Sequence, residues 1–304
     1  NNGDADAAPF IAWIGPHAPH CPATPAQWYA SHFAADGAPR TATYNKHVED
    51  HHAFVSNNPI MNNATVSAVD QLWRDRLRSL LSVDDLVSAI VAVLDAYPSV
   101  NDNTYVVYTS DHGYHLGQYR VPCHKTLPYE TDIRVPLYLR GPRIKAASVS
   151  NALVSNIDIL PTFLSLAGIE YDAQTYDGRT WTDFLWQSEG NTDDNLDTDE
   201  QWRDTLLIQY QSQETDDVSH CSIWYPSING SVVPGQKVRP KADDERHIKW
   251  MVDSNSQNNW RALRKLNDSA HENWMYIEMI HHDWSNASFA APIFYEFYDL
   301  NADP

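Results

Sequence analysis

Residues 109–140, TSDHGYHLGQYRVPCHKTLPYETDIRVPLYLR, hold the densest set of reactive side chains in this chain. Asp111 and His112 place a carboxylate beside an imidazole, a pair able to face one divalent cation, and Gly113 lets the backbone turn sharply behind them. Two adjacent ligands cannot hold a metal alone, so the others must come from elsewhere in the fold. His115 follows closely, and Lys125 lies in a loop bounded by Pro122 and Pro128. Far upstream, His20 sits in the loop GPHAPHCPATP. A metal pair, an ammonium and imidazoles on one edge describe a pocket for a tetrahedral oxyanion.

Such a pocket needs elements that bring distant segments together. Asp111 follows the β-branched and aromatic run TYVVYTS, and His20 follows the apolar run PFIAWIG at 9–15, closed by Gly15 and Pro16. Both runs read as strands. In open α/β sheets ligands collect at the strands' carboxyl ends, so parallel neighbours would deliver His20 and Asp111 to one edge.

Between them, Val69, Leu72, Trp73, Leu77, Leu80, Leu86, Ile90, Val93, Leu94 and Tyr97 recur at three- and four-residue steps. That spacing predicts an amphipathic helix over 66–97, or two helices broken near Ser82 with Ser82 or Asp84 as the cap. RVPLYL at 134–139 reads as a further strand, and SNIDILPTFLSLAGI at 155–169 as a helix with Pro161 near its start and Gly168 at its end. Strand, helix and strand in this order predict a parallel α/β sheet. Residues 24–65 read as mostly irregular.

The acidic run SEGNTDDNLDTDEQWRD at 188–204 reads as a solvated loop and as a domain boundary. It divides a larger α/β unit at 1–187 from a smaller one at 188–304. In the second, LLIQYQ, CSIWYP, HIKWMV and FYEFYDL read as short strands of an antiparallel sheet.

Composition narrows the function classes. The 304 residues carry 21 Lys and Arg against 40 Asp and Glu, a net charge of −19. A general nucleic-acid or anionic-membrane binder needs a basic face instead. No apolar run reaches the roughly 18–20 residues that span a bilayer. Cys21, Cys123 and Cys221 form no CxxC pair or zinc-ribbon spacing.

Several motifs, in order, resemble one family. TSDHGYHLGQ, HKTLPYETDIRVPLYLRGP, SNIDILPTFLSLAGI and DGRT are similar to segments of the sulfatases of the alkaline-phosphatase-like superfamily, above all glucosamine-6-sulfatases and heparan endosulfatases. APHCPATPAQWY, LRSLLSVDDLVSAIVAVL and FYDLNADP extend the likeness through most of the chain. The resemblance implies a mixed sheet flanked by helices, with a smaller antiparallel carboxyl-terminal subdomain, and hydrolysis of sulfate esters of carbohydrates or aryl alcohols.

Carried over position by position, the resemblance makes Asp111 and His112 metal ligands. Lys125 becomes the lysine that contacts the sulfate and the bridging ester oxygen, and His20 the histidine that faces the sulfate. His115 would shape the substrate pocket. The implied ion is calcium, although an imidazole at 112 also suits zinc, as in the phosphodiesterases of the same superfamily.

One family element is missing from these 304 residues. Sulfatases convert Cys or Ser of a C/S-x-P-x-R motif into formylglycine, and neither that motif nor the neighbouring Asp-Asp strand occurs. The resemblance puts both upstream of the APH segment, so the expectation is a carboxyl-terminal portion that works with an amino-terminal segment of the same precursor. A sheet lacking its first strand would expose an edge or a cavity. The family implies a secreted or lysosomal setting. A phosphodiesterase and a non-catalytic binder of sulfated glycans stand as alternatives.

Lesser candidates have plainer readings. His17-x-x-His20 could bind zinc across a turn but reads as polar loop filler. Asp84-Asp85 could be a carboxylate dyad but reads as a helix start. His51-His52 and His281-His282 read as solvated loop residues. Cys21 and Cys123 flank suspected pocket residues without a catalytic role of their own. Sequons at Asn63, Asn229, Asn267 and Asn286 are about as many as chance supplies.

Overall fold

In the computed structural model, residues 9–185, 202–211, 258–280 and 291–302 are described. Among them are the helices α1 (Ala53–Ser56), α2 (Asn63–Asp95), α3 (Pro98–Asn101), α4 (Glu130–Ile133), α5 (Ile159–Leu166) and α6 (Thr182–Leu185). The strands are β1 (Val106–Thr109), β2 (Leu137–Arg140), β3 (Thr205–Gln211), β4 (Asn259–Asn267), β5 (Glu272–Met279) and β6 (Phe294–Asp299).

The long amphipathic run forms one helix rather than two. The Asn62 side chain accepts from the Thr65 amide and caps α2, which then runs unbroken through Ser82. Asp84 and Asp85 therefore cap nothing; Asp85 instead accepts a hydrogen bond from the Tyr29 hydroxyl at 2.6 Å. Serine is only mildly unfavourable inside a helix, and the apolar spacing on either side keeps one phase.

The short strands β1 and β2 pair antiparallel, with Thr109 opposite Leu137 and Val106 opposite Arg140. The expected parallel pairing fails for a topological reason. The chain leaves β1 at Thr109, spends residues 110–136 at that same end, and enters β2 from it, which only antiparallel strands allow.

The run 9–15 is not a strand either. Phe10, Ile11, Trp13 and Ile14 are all exposed, Trp13 at 76%. No described strand lies beside them, and apolar content without a ladder partner does not make a strand. Exposed apolar side chains also line α2 and the small sheet, including Val93, Tyr108 and Tyr138.

The 155–169 helix is as anticipated. Residues 156–158 form a 3-10 turn that leads into α5, and Gly168 adopts a φ of +66° just past its end. The Ile169 amide reaches back to the Leu164 carbonyl and the Gly168 amide to Ser165, closing the last turn.

Four strands form an antiparallel meander in the order β3-β4-β5-β6. LLIQYQ and FYEFYDL supply β3 and β6 as expected; CSIWYP, HIKWMV and most of the acidic run lie outside the described residues. The sequence reading passed over β4 and β5, where Arg, Lys and Glu interrupt the apolar run. Period-two alternation was the signal there: Trp260, Ala262, Met275, Ile277 and Met279 point inward and are buried. They pack on Val55, Val121, Leu127 and Tyr129, so the meander's core is shared with the 116–129 loop. The larger of these, Met275, Ile277 and Met279, each contribute about 1.5–3 kcal/mol by leaving water.

Two polar contacts lock the same seam. Buried Glu296 of β6 accepts hydrogen bonds from the His52 amide at 2.8 Å, the Tyr129 hydroxyl at 3.1 Å and the Tyr298 hydroxyl at 2.6 Å. Arg264 of β4 pairs with Glu130, at the first turn of α4, at 2.9 Å.

Candidate active site

Asp111 leaves the carboxyl end of β1 and is exposed. Its Oδ1 accepts from the His112 amide at 3.0 Å, and its Oδ2 lies 3.4 Å from His112 Nε2. His112 Nδ1 donates to the Gly113 carbonyl at 2.8 Å, so in the neutral ring Nε2 carries a lone pair. A lone pair facing a carboxylate oxygen repels it unless a proton or a cation lies between them, so this donor set fits a divalent ion as two of its ligands. Among the described residues no group of three or more His, Cys, Asp or Glu gathers to complete such a site.

The backbone around the pair is held from two sides. The Asn156 amide, in the turn before α5, donates to the Ser110 carbonyl at 3.0 Å and the Asp111 carbonyl at 3.4 Å. Gly113 and Tyr114 donate their amides to the carbonyls of Asp132 and Thr131 at 2.7 and 2.8 Å. A Cβ on Gly113 would collide with the Thr131 carbonyl, which explains glycine there.

His115 and Asp132 are both about 2% exposed, and His115 Nδ1 donates to the Asp132 carboxylate at 2.8 Å. This fixes the tautomer, leaving buried Nε2 as a lone-pair acceptor with no hydrogen-bond partner among the described residues. Asp132 also accepts from the Leu127 amide at 2.8 Å, tying the Lys125 loop to α4.

His20 is exposed, and its Nδ1 donates to the Cys21 carbonyl at 2.8 Å, which turns Nε2 outward. His17 leans on the same carbonyl at 3.4 Å, with ring centroids 4.9 Å from those of His20. No third ligand joins them among the described residues, so polar filler describes His17.

Sequence reasoning missed two residues that join these loops. Arg76 of α2 is half-buried; it donates to the Pro19 carbonyl at 3.0 Å and stacks 3.9 Å above the Tyr114 ring. It thereby ties the His20 loop to the His115 loop, and burial lowers its basicity. Nothing in the helical pattern distinguishes it from the neighbouring Arg74 and Arg78.

His124 is the other. Its basicity falls to about 2, first through burial and then through its neighbours His115, Lys125, His112 and His20. Its carbonyl accepts from the His115 amide at 3.0 Å, and its ring stacks 6.5 Å from that of Tyr114. Burial likewise lowers the Lys125 ammonium below its usual range, Asp111 and Asp132 opposing the shift and Arg76 adding to it. Its adjacency to Lys125 was the only sequence signal for His124.

Three segments, 17–21, 111–115 and 124–125, therefore converge on a patch rich in cationic and imidazole groups within an acidic protein. Such a patch can hold a tetrahedral dianion.

Comparison with known proteins fits this geometry. The family model described as Sulfatase matches residues 2–169, over half of the chain. The chain belongs to the sulfatase family. A second model, N-sulphoglucosamine sulphohydrolase, C-terminal, matches residues 118–223.

Among curated sulfatases, the N-acetylglucosamine-6-sulfatase of Capra hircus is 38% identical over 211 residues, covering 69% of this chain and 36% of that protein. The putative extracellular sulfatase Sulf-1 homolog of Caenorhabditis elegans is 37% identical over 202 residues, 66% of this chain and 28% of its own length. The chain thus spans about a third of the length of the curated relatives it matches.

A solved structure in complex with its substrate D-glucosamine-2-N,6-O-disulfate aligns with a TM-score of 0.54 at 24% identity, covering 82% of this chain and 38% of that one. A phosphonate monoester hydrolase from Silicibacter pomeroyi aligns at 0.50 and 20%, covering 77% and 36%. Both likenesses concern the fold, which is alkaline-phosphatase-like α/β with a carboxyl-terminal antiparallel sheet.

Proposed function

We propose that this chain supplies one wall of the active site of a sulfuric ester hydrolase acting on sulfated carbohydrate, with aryl sulfates as simpler substrates. The joining of the His20, His115 and Lys125 loops, through Arg76 on the Pro19 carbonyl and the Tyr114 ring and through the His115–His124 bridge, carries the reading. The named relatives support the sulfate ester class.

In this reading Lys125 faces the sulfate and the bridging oxygen, where its ammonium offsets the charge that grows as the ester breaks. His20, held by Cys21 through Nδ1, presents Nε2; when protonated it gives that proton to the leaving oxygen. His115, fixed by Asp132, borders the substrate pocket. Asp111 and His112 hold a divalent ion, calcium before zinc, which supplies positive charge beside the sulfate oxygens when bound.

The nucleophile, a formylglycine, belongs to an amino-terminal segment of the same precursor. That segment would cover the apolar side chains exposed at 10–14 and on α2. Residues 1–187 complete the catalytic α/β domain with it, and 188–304 form the smaller subdomain. The relatives include an extracellular sulfatase by name, in line with a secreted or lysosomal setting. Among the described residues no helix is long and apolar enough to cross a membrane.

The imidazole at 112 favours a second reading, a zinc phosphodiesterase on the same fold. The polypeptide made from the complete reading frame decides between them. Hydrolysis of p-nitrophenyl sulfate and of 6-sulfated N-acetylglucosamine, supported by calcium, is expected. Turnover of bis-p-nitrophenyl phosphate with zinc, and none of the sulfates, would select the second. Tight binding of sulfated glycan without any turnover would leave a binding protein.

A further inference from the structure

The backbone on either side of Lys125 is bent into an unfavourable region. His124 has a φ of +105° and Thr126 a φ of +85°, values that residues with a Cβ rarely adopt. Such conformations persist only where surrounding contacts enforce them. Here those contacts come from 130 residues further along the chain.

The Thr126 carbonyl accepts hydrogen bonds from the Trp260 indole Nε1 at 2.8 Å and the Asn258 side-chain amide at 3.1 Å. The Asn258 amide also donates to the Thr126 hydroxyl at 3.1 Å. Trp260 and Asn258 are 3% and 1% exposed, so both donors are fixed by packing at the start of β4. On the other flank, Asp132 holds the Leu127 amide. Both donors meet at Thr126, the residue immediately after Lys125, through its carbonyl and its hydroxyl.

We propose that Trp260, seconded by Asn258, is a positioning residue for Lys125, so that the carboxyl-terminal sheet sets the aim of the ammonium in the active site. This rests on the sulfatase reading for its chemistry, while the positioning itself concerns only this loop. Trp260 never reaches the substrate. It acts by holding the Thr126 carbonyl, which keeps the strained turn from relaxing and swinging the Lys125 side chain away.

The test is a double-mutant cycle in the complete protein. Trp260→Phe keeps the ring in the core and removes the indole N–H; Asn258→Ala removes the second donor and serves if the first variant does not fold. On p-nitrophenyl sulfate, Trp260→Phe should lower kcat about tenfold, the order expected for one lost hydrogen bond. In a Lys125→Ala background the same substitution should change kcat by less than about twofold, because the aimed group is gone. An equal loss in both backgrounds would mean a merely structural role and overturn the proposal.

A second arm needs no turnover: trace acetylation of lysines read by mass spectrometry, with Lys46 and Lys145 as internal references. Trp260→Phe should raise labelling of half-buried Lys125 several-fold relative to both. Unchanged relative labelling overturns the proposal even in an active enzyme. An inactive wild type with raised Lys125 labelling would instead overturn only the sulfatase reading.

Discussion

Removing the Asp158 carboxylate should destabilise the protein by about 3–5 kcal/mol, the cost of breaking a buried ion pair on one side. Asp158 is fully buried and accepts three hydrogen bonds: from the Ser155 amide at 2.8 Å, the Arg179 amide at 2.8 Å and Arg203 Nη2 at 2.6 Å. It thus fastens three segments together: the turn before α5, the DGRT loop and the approach to β3. Asp158→Ala strands two backbone donors and leaves the Arg203 guanidinium, itself about 8% exposed, without its counter-charge. Asp158→Asn keeps the shape and one acceptor, so about 1.5–3 kcal/mol is expected, in the range of a hydrogen bond to a charged group.

Urea unfolding followed by far-ultraviolet circular dichroism measures both, with the slope checked for a constant denatured state. Pairing Asp158→Ala with Arg203→Met should cost at least about 1 kcal/mol less than the sum of the single variants, since the orphaned charge disappears. A loss below about 1 kcal/mol for Asp158→Ala, or strict additivity in the pair, would refute the reasoning. The damage should also reach the active site, because Asn156 of the same turn holds the Asp111 backbone.

Four further outcomes are expected. Lys125→Ala should lower kcat by about 10²–10³ in the sulfatase assay, as loss of a charge-stabilising donor does. Because burial lowers the Lys125 ammonium, the alkaline limb of the pH–rate profile should fall below the ordinary lysine value of 10.5, activity being lost as the pH rises through it. Lys125→Arg should push that limb upward in whatever activity remains, and an unmoved limb would exclude Lys125 as its source. Gly113→Ala should abolish turnover and lower the melting temperature, since its methyl meets the Thr131 carbonyl; a wild-type melting curve would contradict the close approach. Calcium at about 100 times its Kd should stabilise the complete protein by about 2.7 kcal/mol in thermal unfolding, an effect that chelation or Asp111→Asn removes.

Local chemistry was legible in the sequence wherever neighbours along the chain decide it. The apolar phase of α2 and Gly168 at the end of α5 depend on residues within one or two turns, and both read correctly, whereas Gly113 is required by its close approach to the Thr131 carbonyl rather than by a sharp turn. The order of motifs also named the family, because spacing between them is itself a sequence property.

Pairing was not legible, because it depends on what lies alongside. PFIAWIG has the composition of a strand but no described neighbour to complete its ladder, and β1 and β2 turned out antiparallel because the 110–136 loop starts and ends at one end of the sheet. Arg76, Trp260 and Asn258 carry no sequence mark of their importance, since each matters through a contact with residues far away in the chain. Composition and spacing thus determined the family, the helices and the reactive residue types. Tertiary structure alone decided which of those residues meet, because long-range hydrogen bonds, rather than adjacency, fasten the His20 loop to α2 and the Lys125 loop to the carboxyl-terminal sheet.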